Sequence, residues 1–68
     1  MESQLILTVS KMTNDSAAAI NNALMRINGI ENVIVNVENC KISIEYDDEK
    51  ISEKLIRETI EDEGFEVR

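Results

Sequence analysis

Few side chains in this sequence can do chemistry, and most of them fall in two places. Cys40 is the only thiol among 68 residues, and there is no histidine. A lone thiol has no partner for an internal disulfide. It can react with a thiol reagent or bridge to a second chain through a disulfide or a shared metal. The lack of histidine removes the commonest general base and metal ligand. The second place is Met12-Thr13-Asn14-Asp15-Ser16-Ala17. Met12 brings a thioether, which can ligate a soft ion or fill a core. Asn14, Asp15 and Ser16 bring oxygens, but one carboxylate and two neutral groups fall short of the six to eight oxygens that calcium takes. The same residue types make a good helix start, where a side-chain oxygen accepts from free backbone N–H groups. Packing for Met12 and capping for its neighbours are therefore the favoured readings. No glycine-rich phosphate loop and no nucleophile–base pair accompany them, so nothing here points to an enzyme.

These residues must be positioned by regular elements, and the apolar spacing gives them. Leu5, Leu7 and Val9 alternate with Ile6, Thr8 and Ser10, which predicts a half-buried strand over residues 4–10. From about Asn14 the period lengthens. Ala17, Ile20, Leu24 and Ile27 recur at three and four, one face of a helix that Thr13, Asn14 or Asp15 can cap. Asn28-Gly29 ends it, with Gly29 free to take a positive φ. Val33, Val35 and Val37 mark a strand over residues 32–38, and Ile42, Ile44 and Tyr46 another over 41–46.

The link Glu38-Asn39-Cys40-Lys41 predicts a tight hairpin, in which Cys40 stands where glycine is expected, at a conformational cost of about 1 kcal/mol. Its position at the tip predicts a solvent-accessible, candidate reactive thiol. After the solvated run Asp47-Asp48-Glu49-Lys50, Ser52 caps a second helix with Leu55, Ile56, Thr59 and Ile60 inward. Glu53 with Arg57, and Lys54 with Glu58, can pair on its outer side. Gly64 stops this helix, and Phe65-Glu66-Val67 predicts a brief closing strand.

The order β-α-β-β-α-β, with right-handed crossovers, predicts an α+β, ferredoxin-like fold. It has a four-stranded antiparallel sheet with two helices on one face. In that layout Met12 to Ala17, Cys40 and Phe65 share one end of the sheet. A single domain spans residues 1–68, with no proline, repeat or low-complexity stretch. A core this small leaves little room for an enclosed active site.

Fourteen acids against seven bases give a net charge of −7. That excludes a nucleic-acid partner, whose phosphates need Lys and Arg, and disfavours an anionic membrane surface. A basic protein or a cation suits it better. A single unpaired thiol fits a reducing compartment. There is no basic leader before a long apolar run, and no window approaches 18 consecutive apolar residues. A cytoplasmic location is expected.

The landmarks Leu7 and Val9, Met12-Thr13, Ala17-Ala18-Ala19-Ile20, Gly29-Ile30, Val35 and Val37 recur at specific spacing. They continue through Ile42, Ile44 and Tyr46-Asp47, Ile60-Glu61-Asp62 and Gly64-Phe65. Together they resemble the heavy-metal-associated domain over almost the whole chain. That family includes small copper chaperones and the N-terminal modules of metal-transporting P-type ATPases. Its loop reads Gly-Met-x-Cys-x-x-Cys.

The resemblance implies metal trafficking, with Cu(I), Zn(II) or Cd(II) held by two thiolates and passed to a similar partner domain. It also implies that Met12 tucks under the loop and that Phe65 lies beside it, able to shield the loop or touch a partner. Aligned this way, Asn14 and Ala17 stand at the two cysteine positions and Lys11 at the glycine. Soft Cu(I) prefers sulfur, so the inherited metal site is not expected here. Cysteines at i,i+3 across a helix start would also have had their thiolates favoured by the helix dipole.

The expected protein is thus a small metallochaperone-like member with a degenerate loop, linked to metal homeostasis and without a cofactor. Its clean start and end suggest a stand-alone chain. Its partner is a protein, a metal-transport ATPase domain or a chaperone, and it is a monomer or a weak dimer through Cys40. A small-molecule-sensing regulatory domain is the alternative from another class.

Overall fold

The computed structural model describes residues 1–68. Strand β1 spans Glu2–Thr8, helix α1 Asn14–Met25, β2 Ile30–Asn36, β3 Lys41–Asp47 and helix α2 Glu53–Asp62. The sheet is antiparallel with β3 in the centre, in the order β1-β3-β2. β1 pairs with β3 from Glu2 opposite Asp47 to Thr8 opposite Lys41. β2 pairs with β3 from Ile30 opposite Tyr46 to Asn36 opposite Lys41, and its register slips at Glu31. The fold is ferredoxin-like, with two helices on one side of the sheet.

The sheet has three strands, not the four expected. The closing segment makes one bridge, Val67 to Val9. Around it the Ser10 N–H donates to the Glu66 carbonyl at 3.1 Å and the Arg68 N–H to the Thr8 carbonyl at 2.7 Å. The reason is local. Gly64 takes a φ of +96° to end the second helix just before the closing segment. On the other side the chain leaves β1 at once, because Lys11 turns it with a φ of +54°.

The core lies between the sheet and the helices. Leu7 and Val9 enter it from the first strand and its extension, and Ile42, Ile44 and Tyr46 from β3. Ile20 and Leu24 come from α1, Ile56 and Ile60 from α2, and Met12 and Ile51 from the loops. No polar or charged residue is buried among them. Each fully buried aliphatic side chain contributes about 1.5–3 kcal/mol. Val33 and Val35 line the edge of this core, half-buried because β2 is an edge strand.

Three boundaries shift for physical reasons. β1 begins at Glu2 because its polar residues pair with the end of β3, where the apolar alternation is silent. β2 runs 30–36 because Val37 is taken into the turn. α1 ends at Met25, before the expected Asn28-Gly29, and Ile27 belongs to the turn beyond it. Gly29 has a φ of +112°, and a Cβ there would come within 2.9 Å of the Lys50 Cβ, so glycine serves both backbone and packing. On α2, Leu55 is 42% exposed rather than inward. Ile56 and Ile60, one turn apart, form the buried stripe, and Leu55 sits off it by one residue. The two expected pairs on the outer side are present, Arg57–Glu53 at 2.8 Å and Lys54–Glu58 at 3.8 Å. No helix is long and apolar enough to cross a membrane.

Candidate functional site

Val9 and Ser10 tie three segments to one end of the sheet. The Val9 N–H donates to the Cys40 carbonyl at 2.9 Å, Val9 bridges to Val67, and Ser10 donates to Glu66. The loop and helix start from Met12 to Ala17 continue directly from this knot. Cys40 and Phe65 are held to the same end by the hairpin and the C-terminal segment.

Within the loop each side chain has a defined place. Lys11 is exposed and adopts the left-handed backbone that glycine favours. Met12 is 8% exposed and belongs to the core. Thr13 is the helix cap among the three candidates. Its Oγ1 accepts from the Ser16 N–H at 3.1 Å and lies 2.9 Å from the Ser16 hydroxyl. Asn14 and Asp15 are exposed in the first turn, with the Asp15 carboxylate near the positive end of the helix dipole. Ala17 and Phe65 are half-buried and pack against the core.

The hairpin differs from the expected one. Only Cys40 has a positive φ, +55°, while Asn39 does not. The turn runs from Val37 to Cys40, closed by the Cys40 N–H donating to the Val37 carbonyl at 3.2 Å. The Asn36 Oδ1 accepts from the Asn39 N–H at 3.1 Å. In this turn the Cys40 side chain points inward. The thiol is half-buried, packs against the core and lies 3.7 Å from the Val37 carbonyl oxygen. The thiol expected to be solvent-accessible at a hairpin tip is of intermediate exposure. A wider turn, with its left-handed residue last, directs that side chain back over the sheet.

The donors of the loop and helix start are hydroxyls already engaged in the cap, one amide, one carboxylate and a buried thioether, with the half-buried Cys40 thiol at the same end. Nowhere in the chain do three or more His, Cys, Asp or Glu side chains converge in a metal-holding arrangement. The strongest electrostatic grouping lies at the opposite end of the sheet, a signal the acidic run 47–49 gave only as a solvated loop. There the terminal amine of Met1 meets Asp47 at 3.2 Å, Asp48 at 3.4 Å and Glu49 at 3.1 Å. The Glu49 backbone N–H and this amine hold the Asp47 carboxyl below its ordinary value, and the acids raise the amine.

The family model described as the heavy-metal-associated domain matches residues 6–66. The chain belongs to the heavy-metal-associated domain family. Copper chaperone CopZ of Staphylococcus aureus (strain JH9) is 38% identical over 66 residues, covering 96% of this chain and 97% of that protein. A solved CopZ metallochaperone superposes with a TM-score of 0.93 at 37% identity, over 97% of this chain and 100% of that one. A crystal structure of a copper-binding domain from HMA7, a P-type ATPase, gives 0.91 at 29% identity, over 100% and 92%. This heavy-metal-associated domain is thus related both to chaperones and to transporter modules, which links it to metal homeostasis, and it is not an enzyme.

Proposed function

We propose that this heavy-metal-associated domain no longer carries Cu(I) through its loop and acts in metal homeostasis by contact with another protein. The observation that carries this reading is the cysteine inventory. Relatives named as copper chaperones and copper-binding domains match along nearly the whole chain. This chain has one cysteine, half-buried in the hairpin. Soft Cu(I) is held by sulfur, and two thiolates cannot come from one residue. Asn14 and Ala17 stand where the family places its cysteines. Thr13, Asn14, Asp15 and Ser16 form an ordinary capped helix start instead, and Met12 packs beneath it.

In this reading the interaction end comprises Met12, Thr13, Asn14, Asp15, Ser16, Ala17 and Phe65. The partner is a metal-transport ATPase domain or a chaperone in the cytoplasm, and residues 1–68 act as one domain. The net charge of −7 supports a basic partner surface and disfavours nucleic acid. The inward, half-buried thiol argues against a dimer bridged through Cys40.

The test is a rebuilt loop. Asn14→Cys with Ala17→Cys, in a Cys40→Ser background, is expected to take one Cu(I) per chain from a competing chelator. The parent chain is expected to take none. Stoichiometric capture by the parent monomer would overturn the proposal. A folded double-cysteine variant that stays empty would show that the loop backbone, and not only its ligands, has changed.

A further inference from the structure

The helices cover one face of the sheet and leave the other open, and register places its residues in rows. Ser43 is paired with Ile6 on one side and Ile34 on the other, so the two isoleucines flank it. They are 60% and 59% exposed. The next row is Gln4, Glu45 and Asn32, and beyond it Glu2 lies opposite Asp47. Glu31, in the bulge of β2, reaches the same corner, where Glu2 and Asp47 act on its carboxyl.

The charges on this face are unbalanced. Lys41 is the one cation in the paired rows of the three strands, with Lys50 and Arg68 at their margins, and its ammonium donates to Thr8 Oγ1 at 3.2 Å rather than to a carboxylate. Asp47 has the chain amine, but Glu2, Glu31 and Glu45 take part in none of the ion pairs. Glu45 accepts only from the neutral amide of Asn32, at 3.2 Å. Glu31 is held above the ordinary carboxylate range by lost hydration, by the charge and hydrogen bond of Glu2, and by Asp47, with Lys50 opposing.

Two exposed isoleucines alone would be unremarked on a small domain. The unneutralised carboxylates beside them select an occupant. We propose that the open sheet face is a docking surface for a basic polypeptide segment. Its aliphatic side chains cover Ile6 and Ile34, and its Lys or Arg groups meet Glu2, Glu31 and Glu45. A second copy of this chain would bring the same acids onto the same acids, at −7 for each chain. The inference rests on the reading that the protein acts through protein contact, and it adds a second contact surface, on the sheet, to the loop end.

The probe is a synthetic peptide alternating Lys with Ile, compared with one alternating Lys with Ser, each titrated into the isotope-labelled chain by NMR. The Lys-Ile peptide is expected to bind about tenfold more tightly, from burial of the two isoleucines. It should shift the amides of Ile6, Ile34, Ser43 and Glu45. Ile6→Thr with Ile34→Thr keeps β-branched residues in the strands and should abolish the difference between peptides. Glu2→Gln with Glu31→Gln and Glu45→Gln should weaken both.

Equal binding of the two peptides, or no binding, would overturn the proposal. Shifts confined to Met12–Ala17 would also overturn it, while leaving the protein-contact reading intact. Capture of Cu(I) by the parent chain would remove that reading without altering the expected peptide map.

Discussion

Lys11 and Cys40 are the two residues other than glycine with positive φ, at +54° and +55°. The left-handed conformation costs an L-residue about 1–2 kcal/mol. Both stand at the same end of the sheet, one on each side of the Val9 knot. At Cys40 the cost is offset in part by packing of the thiol against the core. Lys11 is exposed and makes no hydrogen bond or ion pair through its ammonium, so nothing comparable offsets it. Lys11→Gly is therefore expected to stabilise the domain by about 0.5–1 kcal/mol, after allowing for the extra freedom of glycine in the unfolded chain. Urea unfolding at unchanged m checks this. A loss of stability would mean that the lysine stem supports the loop.

At the scale of elements, the two helices start by the same device. Thr13 Oγ1 accepts from Ser16 at 3.1 Å, and Ser52 Oγ accepts from Leu55 at 3.2 Å. Beyond the cap they differ. α1 relies on Ile20 and Leu24 after a run of three alanines, while α2 buries Ile56 and Ile60 and leaves its acids and bases outside. Thr13→Ala and Ser52→Ala should each cost about 1 kcal/mol, within the 0.5–2 seen for such caps. The two losses should add, because the caps serve different helices and share no partner. A neutral Thr13→Ala beside a destabilising Asn14→Ala would reassign the cap of α1.

Over the whole molecule the excess of acid matters most where acids crowd. Glu31 has a folded pKa above its ordinary value of 4.5, so its charged form is disfavoured in the native state. Its contribution to stability therefore falls as pH rises from 4.5 through the raised value, and the repulsion is fully present at neutral pH. Asp47 has the opposite sign. Its stabilisation is present above 3.8 and is lost as pH falls through its lowered folded pKa. Glu31→Gln should raise Tm at pH 7, with the gain vanishing below about pH 4, where the parent carboxyl is protonated in both states. Asp47→Asn should lower Tm at pH 7. Thermal unfolding followed by circular dichroism at the two pH values checks both signs. A gain for Glu31→Gln that persisted in acid would assign it to packing instead of charge.

Much of this protein follows from local patterns along the chain. Alternation through Leu5, Leu7 and Val9, and through Ile42, Ile44 and Tyr46, set two strands and the face each buries. The helical spacing of Ile20 with Leu24 and of Ile56 with Ile60 set the other layer. Those periods are local properties of the chain, and they were legible residue by residue. The single cysteine, and with it the lack of a thiolate pair, also needed no coordinates.

Tertiary structure decided what depends on partners far away in sequence. The closing strand shrank to one bridge because Lys11 turns the chain away soon after Val9 and Gly64 turns it just before Phe65. Cys40 turned inward because the hairpin closes over Val37, a choice of turn that residue type alone left open. Ile6 and Ile34 became one surface only when Ser43 came between them. Glu2 and Glu31 became repelling neighbours only when β3 carried their strands together, because charge acts through space and not along the chain.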